Sequence, residues 1–234
     1  CHRGCLSTIS SRIAITIDLL DTTLIVYTGD QGYFLGEHNL MDKRWMYEEA
    51  FRMPLIMHWP NGITACPSTE SGQAQQTNDW LINNTDFAPT LLEIAGASRP
   101  EYMQGKSFAT ALSDAPKPDD WLKFTYYRYW MHLAHNLEVP AHFGVRSERY
   151  KLIFFYGLDF NNSGRPPTPQ TPAAWEFYDL KTDPQEMNNR YGDPNYKAII
   201  VEMKLQLLAL RADLDETDTA YPEIQLIIDR HWSQ

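Results

Sequence analysis

Apolar residues follow two different rhythms along this chain. The run Thr23 to Thr28, TLIVYT, is continuous, β-branched and aromatic, which predicts a strand buried on both faces of a parallel or mixed sheet. Tyr33 to Ala50 reads as a loop and then a short helix, and Pro54 to Trp59 as a second short strand stopped by Pro60-Asn61-Gly62. Residues 63–77 are polar and turn-rich, and Asp79 to Ile82 is expected to add a short strand. Asp86 can cap a helix with Pro89 in its first turns, Leu91, Leu92 and Ala95 on its buried side, and Gly96 at its end. Before all of these, Ile13, Ile15 and Ile17 alternate as a strand would, while the stretch to Asp21 could equally end a helix.

The rhythm changes after Asp114 to Asp120, DAPKPDD, a polar stretch with two prolines that predicts a boundary between residues 1–120 and 121–234. Phe124 to Trp130, Gly144 to Tyr156 and Trp175 to Leu180 read as strands with no helix between them, hence an antiparallel sheet. Asn161 to Pro172 is proline-rich and predicts a surface loop. From about Pro194 a helix carries Ile200, Met203, Leu207, Leu210 and Leu214 on one stripe, suited to packing on that sheet. The fold class expected is α/β: part of a large layered domain, then a small antiparallel sheet with a helix.

Composition narrows the partners. Thirty acidic against 20 basic residues give a net charge of −10, which argues against sequence-independent nucleic-acid binding but leaves room for a local basic pocket. No apolar run reaches the length of a membrane span, and the first residues lack a basic start and apolar core; with no initiating Met, they fit a fragment or processed piece. Cys1, Cys5 and Cys66 imply no disulfide framework, and Cys1-His2-Arg3-Gly4-Cys5 has no second half to complete a metal clip.

Candidate chemistry gathers where the first strand ends. Asp30 and Gln31 sit between Gly29 and Gly32, at the carboxyl end of a strand where ligands of open α/β sheets collect, and Lys43 and Arg44 follow a loop later. A carboxylate, an amide oxygen and a cation suit a metal-assisted anion site, since hard cations take oxygen ligands and lysine can hold the anion. The same Asp-Gln is also what an ordinary turn looks like, and Asp42 with Arg44 or Glu48 with Arg52 can be plain ion pairs. His38 can orient the loop, face a substrate or simply pack beside Glu37.

The run TGDQGYFLGEHNLMDKRWMYEEAFRMPLIMHWPNG resembles the active-site region of type I sulfatases, the formylglycine-dependent branch of the alkaline phosphatase superfamily. Their landmarks D-Q-G, G-E-H and D-K-x-x-x-Y-E-x-x-x-R-x-P occur here in order, and TDFAPTLLEIAG, GKSF, AHFGVRSERYKLIFFY and WEFYDLKTDPQEMNN extend the likeness to the final helix. The resemblance, nearest to carbohydrate sulfatases, implies the C-terminal portion of an alkaline-phosphatase-like domain with a mixed sheet, followed by a small α+β subdomain. It implies Asp30 and Gln31 as Ca²⁺ ligands, Lys43 as the catalytic cation on the sulfate, and His38, His142 and Arg146 at the substrate. It further implies a sulfated small molecule or glycan as substrate, no nucleic-acid or membrane partner, and a secreted, periplasmic or lysosomal setting.

One part of the pattern is missing. The formylglycine nucleophile arises from Cys or Ser in C-x-P-S-R, and no such motif occurs in this sequence, Cys66 being followed by Pro-Ser-Thr. The isolated chain is therefore expected not to turn over. Other readings are a phosphate or phosphonate monoesterase of the same superfamily, or a non-catalytic calcium- or glycan-binding fragment. His132, His135 and His142 invite a zinc reading but lack the rest of a ligand set, and His58 and His231 read as background.

Overall fold

The computed structural model describes residues 19, 22–60, 77–113, 115–159 and 168–233. The alternating isoleucines near residue 15, Cys1, Cys5, Cys66, the Asn61-Gly62 stop and most of the proline-rich loop lie outside the described residues. Two compact units emerge, Cys1–Asp30 with Met53–Trp121, and Gln31–Arg52 with Leu122–Gln234. A cut at residue 120 would leave Gln31–Arg52 with the first unit. That segment instead joins the second because it contributes Phe34, Met46, Tyr47 and Ala50 to a core shared with Ile153, Phe155 and Tyr178.

In the first unit, β1 (Ile25–Thr28) pairs antiparallel with β4 (Leu55–His58), Ile25 opposite His58. The expected double-sided burial of the first strand is not observed: Val26, Tyr27 and Thr28 are exposed. An apolar strand is covered on both faces only where layers lie above and below it, and among the described residues this sheet has two strands alone. The helix α2 (Phe87–Ile94) forms where expected, entered through a capping box between Asn83 and Asp86 and closed by Gly96 at φ 70°. Its buried side differs: Pro89 and Thr90 are buried and Leu91 is exposed. Thr90 Oγ1 donates to the Asp86 carbonyl at 2.6 Å and accepts from Phe108 N at 3.0 Å, so the loop carrying the buried Phe108 covers that face. Asp79 to Ile82 is not a strand, for its polar groups bond side chains: Trp80 N donates to Asn78 Oδ1 and Leu81 O accepts from Trp121 Nε1.

The second unit is built on a four-stranded antiparallel meander, β5 (Phe124–Tyr129), β6 (His142–Ser147), β7 (Tyr150–Phe155) and β8 (Ala174–Asp179), in that spatial order. The single apolar run expected from Gly144 to Tyr156 is a hairpin, turned at Glu148-Arg149, where Ser147 Oγ accepts from Tyr150 N at 2.8 Å. Helix α3 (Lys197–Asp213) lays Ile200, Met203 and Leu207 against Phe143, Leu152, Phe154 and Phe177, which confirms the stripe. A further helix, α4 (Pro222–His231), adds Ile224 and Ile228 to the same core. No helix among the described residues is long and apolar enough to cross a membrane.

Candidate active-site loop

The chain from β1 to the short helix α1 (Glu48–Phe51) carries most of the residues singled out by sequence. Asp30 is exposed and engages through its main chain, its carbonyl accepting from Asn84 Nδ2 at 3.4 Å. Neither its carboxylate nor the Gln31 amide has a partner among the described residues. Gly32 follows, donating its N–H to Ala50 O at 2.8 Å. A Cβ at this position would lie 2.0 Å from the Glu49 carbonyl oxygen and 2.7 Å from that of Arg52, so only glycine lets the chain pass this close to α1.

Beyond Gly32 a tight hairpin of β2 (Phe34–Leu35) and β3 (Met41–Asp42) takes the chain to Lys43. Its turn is strained. Gly36, His38, Asn39 and Asp42 all have positive φ, and such a conformation costs roughly 1–3 kcal/mol for each residue bearing a side chain. Burial around the hairpin holds it in place. Phe34 and Met46 are fully buried, His38 stacks on Tyr47 at 4.6 Å, and Trp45 stacks parallel to Tyr47 at 5.8 Å. Tyr127 Oη donates to the Arg44 carbonyl at 2.9 Å, and Tyr47 Oη donates to Glu176 Oε2 at 2.9 Å.

Lys43 itself is half-buried and, among the described residues, makes no hydrogen bond or ion pair. Its neighbours Asp42 and Arg44 pair with each other, as the sequence allows. The other suggested pair, Glu48 with Arg52, does not form. Glu48 Oε1 and Oε2 instead receive Arg146 Nε and Nη2 at 3.0 and 3.2 Å, and Lys151 Nζ lies 2.9 Å from Oε1. Lys151 reaches Glu186 Oε1 at 2.7 Å, and Glu186 Oε2 accepts the Glu48 N–H at 2.7 Å. Burial tends to raise the Glu48 pKa, but Lys151 and Arg146 outweigh it and hold the carboxyl down at about 2. The Tyr-Glu of the D-K-x-x-x-Y-E run thus ties the Lys43 loop to the meander through two half-buried carboxylates, Glu176 and Glu48.

Three residues expected at a substrate make contacts within the protein. His142 is fully buried among Trp45, Tyr127, Tyr129 and Phe155, with Nδ1 2.7 Å from Pro140 O, and burial drops its pKa to about 4. An imidazole with no accessible surface has no face to offer a sugar, so His142 is a neutral core residue. Arg146 is committed to Glu48. His38 packs between Phe34 and Tyr47 with Nε2 3.4 Å from Glu49 Oε2. His132 is a satisfied core histidine, accepting from Ala141 N at 3.0 Å, with Nε2 2.9 Å from Pro169 O, whereas His142 Nε2 is buried without a hydrogen-bond partner among the described residues. No zinc trio forms: among the described residues no group of three or more His, Cys, Asp or Glu could hold a metal.

Lys151, Glu176 and Glu186 escaped the sequence reading. A single charge inside the apolar run YKLIFF was the one available sign of a buried cation needing partners, and those partners lie far away in the chain.

Helices packed on an antiparallel meander that holds the Lys43 loop are shared with the C-terminal part of sulfatases, the class to which comparison with known proteins assigns the chain. The structure of BT4656 in complex with its substrate D-glucosamine-2-N,6-O-disulfate superposes with a TM-score of 0.76 at 38% identity, covering 90% of this chain and 38% of that one. The phosphonate monoester hydrolase of Agrobacterium radiobacter shares the fold, with a TM-score of 0.65 at 22% identity over 88% of this chain and 39% of its own. Residues 36–213 match the family model described as N-sulphoglucosamine sulphohydrolase, C-terminal, and the chain belongs to that sulfatase family. It is 40% identical over 205 residues to an N-acetylglucosamine-6-O-sulfatase of Bacteroides thetaiotaomicron, covering 87% of this chain and 31% of the relative. Arylsulfatase K of Mus musculus is 30% identical over 174 residues, covering 74% of this chain and 28% of the relative. The chain therefore spans about a third of the length of the curated relatives it matches.

Proposed function

We propose that these residues form the C-terminal part of a sulfuric ester hydrolase acting on sulfated carbohydrate, with Lys43 contacting the sulfate and Asp30 and Gln31 contributing to a Ca²⁺ site. The observation that carries this reading is the selective freedom of three side chains. Within a motif whose charged members other than Arg52 are paired or packed, Asp30, Gln31 and Lys43 match the family's metal- and sulfate-contacting positions and have no side-chain partner among the described residues. The sulfated glucosamine in the BT4656 structure and the N-acetylglucosamine-6-O-sulfatase relative support an amino sugar carrying sulfate as the substrate class.

The donors suit calcium in kind, a carboxylate and an amide oxygen being hard ligands, and in number they supply only part of its six to eight. Bound Ca²⁺ would supply positive charge to the sulfate oxygens. Lys43 would add an ammonium held on a loop that is anchored before substrate arrives, so little reorganisation accompanies the redistribution of charge over the sulfate oxygens as the alcohol departs. The anchoring of that loop by Tyr47 and Glu48 provides this rigidity.

The test uses a polypeptide that joins these residues to a C-x-P-S-R segment. Hydrolysis of glucosamine 6-sulfate that drops at least 100-fold in Lys43→Ala, and falls on calcium chelation and in Asp30→Asn, is the expected result. Hydrolysis of phosphate monoesters in preference to sulfate esters would favour a phosphoesterase and overturn the assignment.

A further inference from the structure

A cleft of about 450 Å³ opens in the second unit between the end of α1, the β6–β7 hairpin and the loop after β8. Four cations line it, Arg52, Arg146, Arg149 and Lys181, against the carboxylates of Glu48 and Glu148. Two of the four, Arg146 and Arg149, are offset by Glu48 and Asp179, whereas Arg52 and Lys181 have no side-chain carboxylate partner among the described residues and leave the hollow with positive charge open to an anion.

The four cations fall into two kinds. Arg146 and Arg149 are fixed in direction: Glu48 takes Nε and Nη2 of the first, and the buried Asp179 takes Nε and Nη2 of the second at 2.9 and 2.7 Å. A guanidinium has five N–H groups, so each keeps unused donors after this clamping: Arg146 spends one Nη1 proton on Ser147 O at 3.0 Å, and Arg149 Nη1 makes no protein bond among the described residues. Arg52 and Lys181 are exposed, and their side chains make no hydrogen bond or ion pair among the described residues. Two pre-oriented planar forks with two exposed cations beside them match the oxygen triad of a sulfate or the pair of a carboxylate.

We infer that this cleft is an anion-binding site for the sulfate or carboxylate group of an acidic saccharide. Its volume falls in the range of small-ligand sites, roughly 300–1,000 Å³. Its lining offers no aromatic ring on which a base could stack, which separates it from a nucleic-acid groove. The choice of a saccharide rests on the sulfatase reading; the choice of an anion does not.

The experiment is calorimetric titration of the 234-residue chain with a disulfated, uronate-containing heparin disaccharide, its unsulfated counterpart and inorganic sulfate, in 20 mM and 200 mM salt. Binding of the disulfated disaccharide that weakens at least tenfold in Arg52→Ala/Lys181→Ala, weakens with salt and persists in Lys43→Ala is expected. The two substituted side chains make no hydrogen bond or ion pair among the described residues, so circular dichroism of the double variant should match the parent. Unchanged affinity in the double variant, or no binding by the parent, overturns the site. Inorganic sulfate binding as tightly as the disaccharide overturns the saccharide assignment. Loss in Lys43→Ala with no loss in the double variant overturns this cleft while supporting the proposed function, so the two failures are told apart.

Discussion

Arg146 and Glu48, 98 residues apart in sequence, meet side-on through two nitrogen–oxygen contacts of 3.0 and 3.2 Å, and Lys151 shares the same carboxylate from the interior. Lys151 is fully buried and keeps Glu186 as a partner when Glu48 is removed, while Arg146 loses both of its carboxylate contacts. Glu48→Ala is expected to destabilise the chain by about 1–3 kcal/mol, the range for losing charge-assisted hydrogen bonds that leave a partner in place. Urea denaturation of the two proteins measures it, and a loss under 1 kcal/mol would contradict the assigned role.

Acid should expose the same cluster. The Glu48 carboxyl titrates at about 2 in the fold against 4.5 when free, so between these values the unfolded chain binds a proton that the folded chain does not. The stability it contributes is complete above about pH 4.5 and is lost as pH falls toward 2. The difference in unfolding free energy between the parent and Glu48→Gln is expected to shrink across that window; a constant difference would sink the argument.

His142 governs a higher window. With its pKa at about 4 in the fold and 6.5 unfolded, the folded chain again binds fewer protons between those values, and stability declines as pH drops from about 6.5 to 4. The full effect is about 3 kcal/mol. His142→Phe should flatten that part of the pH–stability curve. Retention of the slope in the variant would mean the imidazole is not buried neutral.

Gly32 offers a steric test. In Gly32→Ala the new methyl would overlap two main-chain carbonyls, which cannot swing aside as a side chain would, and a loss of about 3 kcal/mol is expected from thermal or chemical unfolding. A variant as stable as the parent would show that the chain passes α1 at a greater distance.

Lys43→Ala should do the opposite. Because the ammonium has no protein partner among the described residues, stability is expected to stay within about 0.5 kcal/mol while sulfate-ester turnover collapses in the longer polypeptide. A marked destabilisation would make Lys43 a structural residue.

The sequence by itself determined the family, the antiparallel sheet and the amphipathic stripe of α3, and it singled out Asp30, Gln31 and Lys43 as candidates, because each is written in neighbouring residues: periodicity for the elements, ordered landmarks for the loop. Helix α4 was missed, although Pro222 opens it and Ile224 and Ile228 line its buried side. Tertiary structure alone decided which charges are uncommitted and which are spent. Glu48 has Arg52 one helical turn away yet binds Arg146 and Lys151, and His142, which local sequence leaves free to meet a sugar, is enclosed by aromatic rings from three separate segments. The physical reason is that desolvation and ion pairing depend on distance in space, and a chain folded into antiparallel strands brings together residues whose separation in sequence carries no trace of their contact.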